Sequence, residues 1–214
     1  MKHEWRKHEK EIYGAKERPS IIVVPRQNFI TISGKGNPND ADYSERVGVL
    51  YSLAWSIKMG YKTLYNNYLE MREQFKYLDY TVFPLEGIWT SANPDNPLDK
   101  DNFIYTIMIR QPDFITKDMF ESAYEVVEKK KPHPLLTEVV FDTMEDGQCV
   151  QILHKGSYDD EPKSFAVMDA FTQDKGFDRI NHSHREIYLN KDPRKVMPAL
   201  RQTILRYQVQ SNNI

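Results

Sequence analysis

One order of signals runs through this chain twice, and that repetition constrains the fold more than any single motif. Phe29-Ile-Thr-Ile-Ser33 alternates apolar and polar residues as a half-buried strand does. It leads to the turn-forming Gly34-Lys-Gly-Asn-Pro38, an acidic cap, a helix and a strand containing Glu86. Val150–Leu153 leads in the same order to Lys155-Gly-Ser-Tyr158, an acidic cap at Asp160, a helix and a strand containing Glu186. Phe103–Arg110 and Ile204–Val209 then close the two halves. The expected class is therefore α+β: two strand-helix-strand-strand units about a pseudo-twofold axis, mostly antiparallel, with helices on one side and a central groove.

All 214 residues are expected to form one domain. Its parts are a charged N-terminal arm (1–18), a first unit (19–112), a connecting helix (113–136) and a second unit (137–214). The arm is either a solvated helix or a segment lying over the body. In the first unit Ser20–Val24 is a short β-branched run. Asp40, Asp42 and Ser44 are candidate helix caps, Val47, Leu50, Tyr51, Ala54 and Trp55 share one helical face, and Gly60 can stop the helix. Tyr61–Tyr77 offers only possible helical turns. Pro84 and Gly87 interrupt the next strand, which suggests a bulge or an edge. Thr116 caps the connecting helix, which ends at Lys129-Lys-Lys131 before Pro132. Thr137–Phe141 and Gln148–Leu153 are strands joined near Glu145-Asp-Gly147, and Asp192-Pro193 opens a short helical connection.

Composition removes several classes of function. A net charge of −2 gives no global basic field, so direct nucleic-acid binding is not expected. No apolar stretch approaches the ~20 residues of a membrane span. The opening Met1-Lys-His-Glu-Trp-Arg-Lys7 has no apolar core behind its basic residues, so the cytoplasm is the expected compartment. A lone cysteine, Cys149, permits no internal disulfide and no cysteine-based zinc site. The sequence identifies no protein partner.

Several residues are candidates for chemistry. On a strand Glu186 and Tyr188 share one face, while Arg185, Ile187 and Leu189 share the other. Glu186 is either a pocket carboxylate, which a cationic ligand would hold in its charged form, or a residue of an exposed face or a salt-bridge partner on an edge strand. Glu86 stands beside Gly87 with Trp89 three positions on, so a planar ligand could approach there; the alternative is a solvated acid on a bulged strand. Read together, Glu86 and Glu186 could be paired carboxylates flanking one pocket. His182 and His184 form an H-x-H pair, but with no third ligand evident they read as surface or supporting histidines. Asp159-Asp-Glu161 reads as an acidic helix start. Tyr51, Trp55, Phe165 and Phe171 fall at helical spacing and read as core, some of them lining a pocket. Gly34-Lys-Gly36 is too short for a phosphate cradle, and neither a metal nor a cofactor is expected.

Five strings are more specific. Glu4-Trp-Arg-Lys7, Leu85-Glu-Gly-Ile-Trp89, Met108-Ile-Arg-Gln-Pro-Asp-Phe114, Val150-Gln-Ile-Leu-His-Lys-Gly-Ser-Tyr-Asp-Asp-Glu-Pro162 and His184-Arg-Glu-Ile-Tyr-Leu-Asn-Lys-Asp-Pro-Arg-Lys195 resemble the stand-alone bacterial branch of the GyrI-like small-molecule-binding family. The resemblance spans nearly the whole chain. It implies a groove for hydrophobic or cationic aromatic xenobiotics, with a central acid that matches Glu186 and stacking aromatics that match Tyr188 and Trp89. Some relatives are sensor halves of multidrug-responsive regulators, but no helix-turn-helix module precedes the domain in this sequence, so direct regulation is not expected. Other relatives resemble hydrolases that open the cyclopropane ring of DNA-alkylating natural products. That activity would give Glu186 the role of directing water, with Tyr188 or Trp89 positioning the ligand.

Overall fold

The computed structural model describes residues 1–190 and 195–212. In chain order they form β1 (Lys2–His3), α1 (Trp5–His8), α2 (Lys10–Tyr13), β2 (Ser20–Val24), β3 (Gln27–Lys35), α3 (Ala41–Asn67), α4 (Leu69–Gln74), β4 (Asp79–Tyr80), β5 (Leu85–Ser91) and β6 (Phe103–Gln111). There follow α5 (Lys117–Lys130), β7 (Val140–Met144), β8 (Gly147–Lys155), α6 (Glu161–Asp174), β9 (Phe177–Arg179), β10 (His184–Tyr188) and β11 (Gln202–Ser211). The helical connection expected at Asp192-Pro193 lies outside the described residues.

The main sheet runs in the order β2-β8-β11-β10-β5-β6-β3-β7, with β9 pairing β11, and the pairings within it are antiparallel. Its midline falls between β10 and β5. On either side the strands correspond: β10 to β5, β11 to β6, β8 to β3. The repeated order of signals is thus an α+β fold with a pseudo-twofold arrangement. The rims carry an exchange. β2 precedes β3 in the chain yet pairs β8, and β7 precedes β8 yet pairs β3. Glu145-Asp-Gly147 therefore joins two strands that pair with different neighbours, with Gly147 at φ 63 making the turn.

Helix α3 runs straight through Gly60. The turns beyond it are held by Tyr61, which is buried, meets Phe114 at 4.8 Å between ring centroids and donates its hydroxyl to the Tyr77 carbonyl. One internal glycine costs only about 1 kcal/mol against alanine, and this packing outweighs it. The buried stripe of α3 is Leu50, Leu53, Ala54, Ile57 and Tyr61, one position round from the face expected from sequence. Trp55 therefore stands half in solvent, with the Lys58 ammonium 5.0 Å from its ring centre. Tyr51 packs partly buried against the core. Helix α5 is capped by the Thr116 side chain, which accepts from the Met119 amide, and it packs on α3.

The N-terminal segment lies over the body. Trp5 is buried and donates its indole N–H to the Val82 carbonyl at 3.1 Å. Glu9 pairs with Arg110, and Arg206 donates to the Ile12 carbonyl at 2.7 Å. The segment thus covers the sheet face turned away from α3 and α6. No helix among the described residues is long and apolar enough to cross a membrane.

Candidate functional site

Where β5 meets β10, the register decides which side chains share a face. Glu186 lies opposite Gly87, and Glu86 lies opposite Ile187. Side chains alternate along a strand, so Glu86 and Glu186 project from opposite faces of the sheet and do not flank one pocket. Glu86 is buried on the face covered by the N-terminal segment. It accepts from Arg185 at 3.1 Å and from the Tyr13 hydroxyl at 3.0 Å, while Arg185 also reaches Asp146 at 2.8 Å. Burial works against the Arg185 charge, but Asp146 and Glu86 outweigh it and hold the guanidinium firmly protonated. This acid is consumed by an internal ion network. The expectation that it lines a ligand site is corrected accordingly.

Glu186 faces the helix side. Its residue is 9% exposed, and its carboxylate lies 3.1 Å from His184 Nε2. Trp89 and Tyr188 are buried on the same face, and the Trp89 indole N–H donates to the Tyr188 hydroxyl at 3.0 Å. Gly87 makes this contact possible. The indole folds back along β5 over the glycine, where an added Cβ would sit 2.5 Å from the indole nitrogen. The strand is unbroken from Leu85 to Ser91, so Gly87 marks no bulge. The space it leaves is filled by Trp89.

Both principal helices begin at this seam. Tyr43, in the first turn of α3, meets Trp89 at 5.8 Å between ring centroids. Tyr158, just before α6, meets Tyr188 at 6.0 Å, edge to face. Glu161, the first residue of α6, points into the same place, and one oxygen from each of Glu161 and Glu186 and one nitrogen of His184 all lie within 4.8 Å of one another. Glu161 is 7% exposed, and its Oε1 is a buried atom with no hydrogen-bond partner.

Electrostatics follow from this packing. Burial, reinforced by Glu186, pushes the Glu161 carboxyl well above the usual carboxylate range. Burial and then Glu186 push Tyr158 up to about 12. The Tyr43 and Tyr188 hydroxyls are raised by the same causes. All three phenols stay neutral, and the seam combines neutral rings with two carboxyl groups.

The structure therefore gathers Glu186, Tyr188 and Trp89, sends Glu86 to the opposite face, and leaves Trp55 on the outer flank of α3. It adds Glu161, His184, Tyr43 and Tyr158. His182 lies before β10 and is exposed, so the H-x-H pair does not act as a unit. His184 instead stands beside Glu161 and Glu186. The signal for Glu161 was the acid at the start of α6, which carries the same signature as an ordinary dipole-compensating residue. One cavity borders His184 from the other side of β10 and another lies apart from the seam. The first, of about 40 Å³, is at Asp146, Cys149, Arg185 and Arg206, and the second, open and of about 320 Å³, is at Tyr124, Pro132, His133 and Leu136.

Comparison with known proteins bears on the chain as a whole. The model of the GyrI-like small molecule binding domain matches residues 17–203. Among solved structures, the chain is similar to an uncharacterized conserved protein from Listeria innocua, at 36% identity and TM-score 0.85, covering 97% of this chain and 100% of that one. It is equally similar to a structure described as a hydrolase from Listeria innocua, at 36% identity and TM-score 0.85, covering 98% and 100%. The EcmrR C-terminal domain shares the fold at 12% identity and TM-score 0.52, covering 91% and 98%. No curated protein matches significantly. A domain model spanning residues 17–203 and a solved relative at 36% identity that covers nearly the whole chain agree, and the chain belongs to the GyrI-like small molecule binding domain family.

Proposed function

We propose that the seam binds a hydrophobic, cationic aromatic small molecule, with Glu186 meeting the positive charge and Trp89, Tyr188, Tyr43 and Tyr158 supplying stacking surfaces. One observation carries this reading. Glu86 is neutralised by a buried guanidinium, whereas Glu186 is held among neutral rings beside an imidazole and a second carboxyl. A buried carboxylate with aromatic faces around it favours a cation, through charge and through cation–π attraction. Tyr43 and Tyr158 are only half-buried and form the rim, while Trp89 and Tyr188 form the floor. The rim rings touch the floor rings, so a ligand must part them.

Ethidium, a planar cation, tests this. Tryptophan quenching and calorimetry should show saturable binding that Glu186→Gln weakens by at least about tenfold, the equivalent of 1.4 kcal/mol. An uncharged ring system of the same size should be little affected by that change. Equal affinity of ethidium for the wild type and Glu186→Gln would sink the reading.

A second reading is favoured by the pair Glu161 and Glu186: hydrolytic opening of a cyclopropane ring in a DNA-alkylating natural product. Two nearby carboxyls, one of them with its ionisation opposed by burial, divide into acid and base. Glu186 takes a proton from water as the water oxygen bonds to the ring CH2. The carbon–carbon pair released passes into the conjugated system, and the Glu161 carboxyl returns a proton to it. Tyr188 and Trp89 position the ring. The similar Listeria innocua structure described as a hydrolase supports this class of reaction. Incubation with a cyclopropane-bearing alkylator should yield the water adduct by mass spectrometry. Glu186→Gln should bind the compound without converting it. Absence of adduct with the wild type would leave binding alone.

A further inference from the structure

Strand β10 presents His184 and Glu186 two positions apart, hence on one face, and the first turn of α6 brings Glu161 against them. The donor atoms are one imidazole nitrogen and two carboxylate oxygens, all within 4.8 Å of one another. Tetrahedral bonds of about 2.1 Å to a divalent ion would set ligand atoms about 3.4 Å apart, and His184 Nε2 and Glu186 Oε1 are already 3.1 Å apart. The third donor gives an independent sign. Glu161 Oε1 is sealed from solvent, has no hydrogen-bond partner, and belongs to a residue only 7% exposed. Buried polar atoms are paired as a rule, so a Glu161 carboxyl carrying an unpartnered buried oxygen beside His184 and Glu186 lacks a partner that an ion would supply. The imidazole ring is steadied by an edge-to-face contact with Phe165 at 4.8 Å.

We propose that Glu161, His184 and Glu186 form a binding site for a divalent transition-metal cation of the zinc type. Mixed imidazole and carboxylate donors on two rigid elements suit such an ion, and three protein ligands leave a position open. The site shares Glu186 with the aromatic seam but does not depend on organic-ligand binding. An ion there would take the place of a ligand's positive charge, so the two should compete.

The test uses the full-length untagged protein, stripped with chelator and titrated with Co²⁺ and Zn²⁺. Co²⁺ should produce the visible absorption of a tetrahedral site at one equivalent, and Zn²⁺ should displace it. Glu161→Gln and His184→Phe should each weaken binding by more than the ~10–100-fold that loss of an outer partner of a metal ligand costs. His182→Ala should leave it unchanged. Melting curves of the stripped variants establish that they fold, and Zn²⁺ should raise the melting temperature of the wild type but not of Glu161→Gln. Absence of stoichiometric Co²⁺ absorption, or equal Zn²⁺ affinity in the wild type and a folded Glu161→Gln, would overturn the proposal. Ethidium binding measured on the stripped protein reports separately on the aromatic seam, so a failed metal site with intact ethidium binding overturns only the metal.

Discussion

The Trp89 indole N–H donates to the Tyr188 hydroxyl at 3.0 Å, joining the two halves of the sheet across their seam. Both residues are buried, so neither group has water as a substitute partner. Tyr188→Phe leaves the indole N–H unsatisfied, which costs about 1–3 kcal/mol. Urea unfolding should show that loss, and tryptophan emission should shift. Unchanged stability and emission would mean that the contact contributes nothing.

Gly87 is required by the same indole. An alanine Cβ would lie 2.5 Å from the Trp89 nitrogen, so Gly87→Ala must push the ring aside. Overpacking of this kind costs about 1–3 kcal/mol, and ethidium affinity should fall with it. Gly48 is the counter-example. It is exposed in α3, and a Cβ there meets nothing within 4 Å. Gly48→Ala should raise stability by about 0.5–1 kcal/mol through helix propensity. Chemical denaturation of both variants checks the opposite signs.

Arg185 holds Glu86 and Asp146 on the covered face. Arg185→Leu strands two acids, one of them deeply buried, and removing one partner of such a pair costs about 3–5 kcal/mol. Tyr13→Phe removes one phenol hydrogen bond to the Glu86 carboxylate and leaves the ion pairs in place, a loss of about 1.5–3 kcal/mol. Denaturation midpoints should rank the two in that order, and the reverse ranking would refute the account of the network.

Cys149 is buried on β8, and burial followed by the nearby Asp146 pushes its thiol up to about 12. An unfolded thiol ionises near 8.5. At pH 8 the native thiol is therefore protonated, and iodoacetamide should modify it far more slowly than in urea. The sign for stability follows. Above about pH 8.5 the unfolded chain loses this proton first, so the thiol's contribution to stability falls as pH rises toward 12. Equal alkylation rates for native and unfolded protein would contradict this.

Strand and helix order was legible in the sequence because alternation and caps are local. Thr116 caps α5 and Gln202–Ser211 forms the last strand for reasons contained in their own segments. The faces were harder. Alternation separates Arg185 from Glu186, but only the pairing of β10 with β5 tells that Glu86 sides with Arg185. In α3 aromatics flank the buried stripe on both sides, so Trp55 fitted a plausible face one position away from the real one. Glu161 was hidden for a different reason. An acid beginning a helix satisfies the helix dipole, and nothing local distinguishes that role from one turned into a cleft.

The exchanged rim strands bear on how this chain reaches its native state. Ser20 pairs with Gln151 and Gln27 with Met144, so each rim closes only after most of the intervening polypeptide is in place. During synthesis the β-branched run Ser20–Val24 leaves the ribosome long before its mate exists. High contact order of this kind slows folding and leaves an unpaired edge open to mispairing in the interval. Once closed, the same exchange means that neither half can unravel without stripping an outer strand from the other. Loss of structure should therefore proceed as one event.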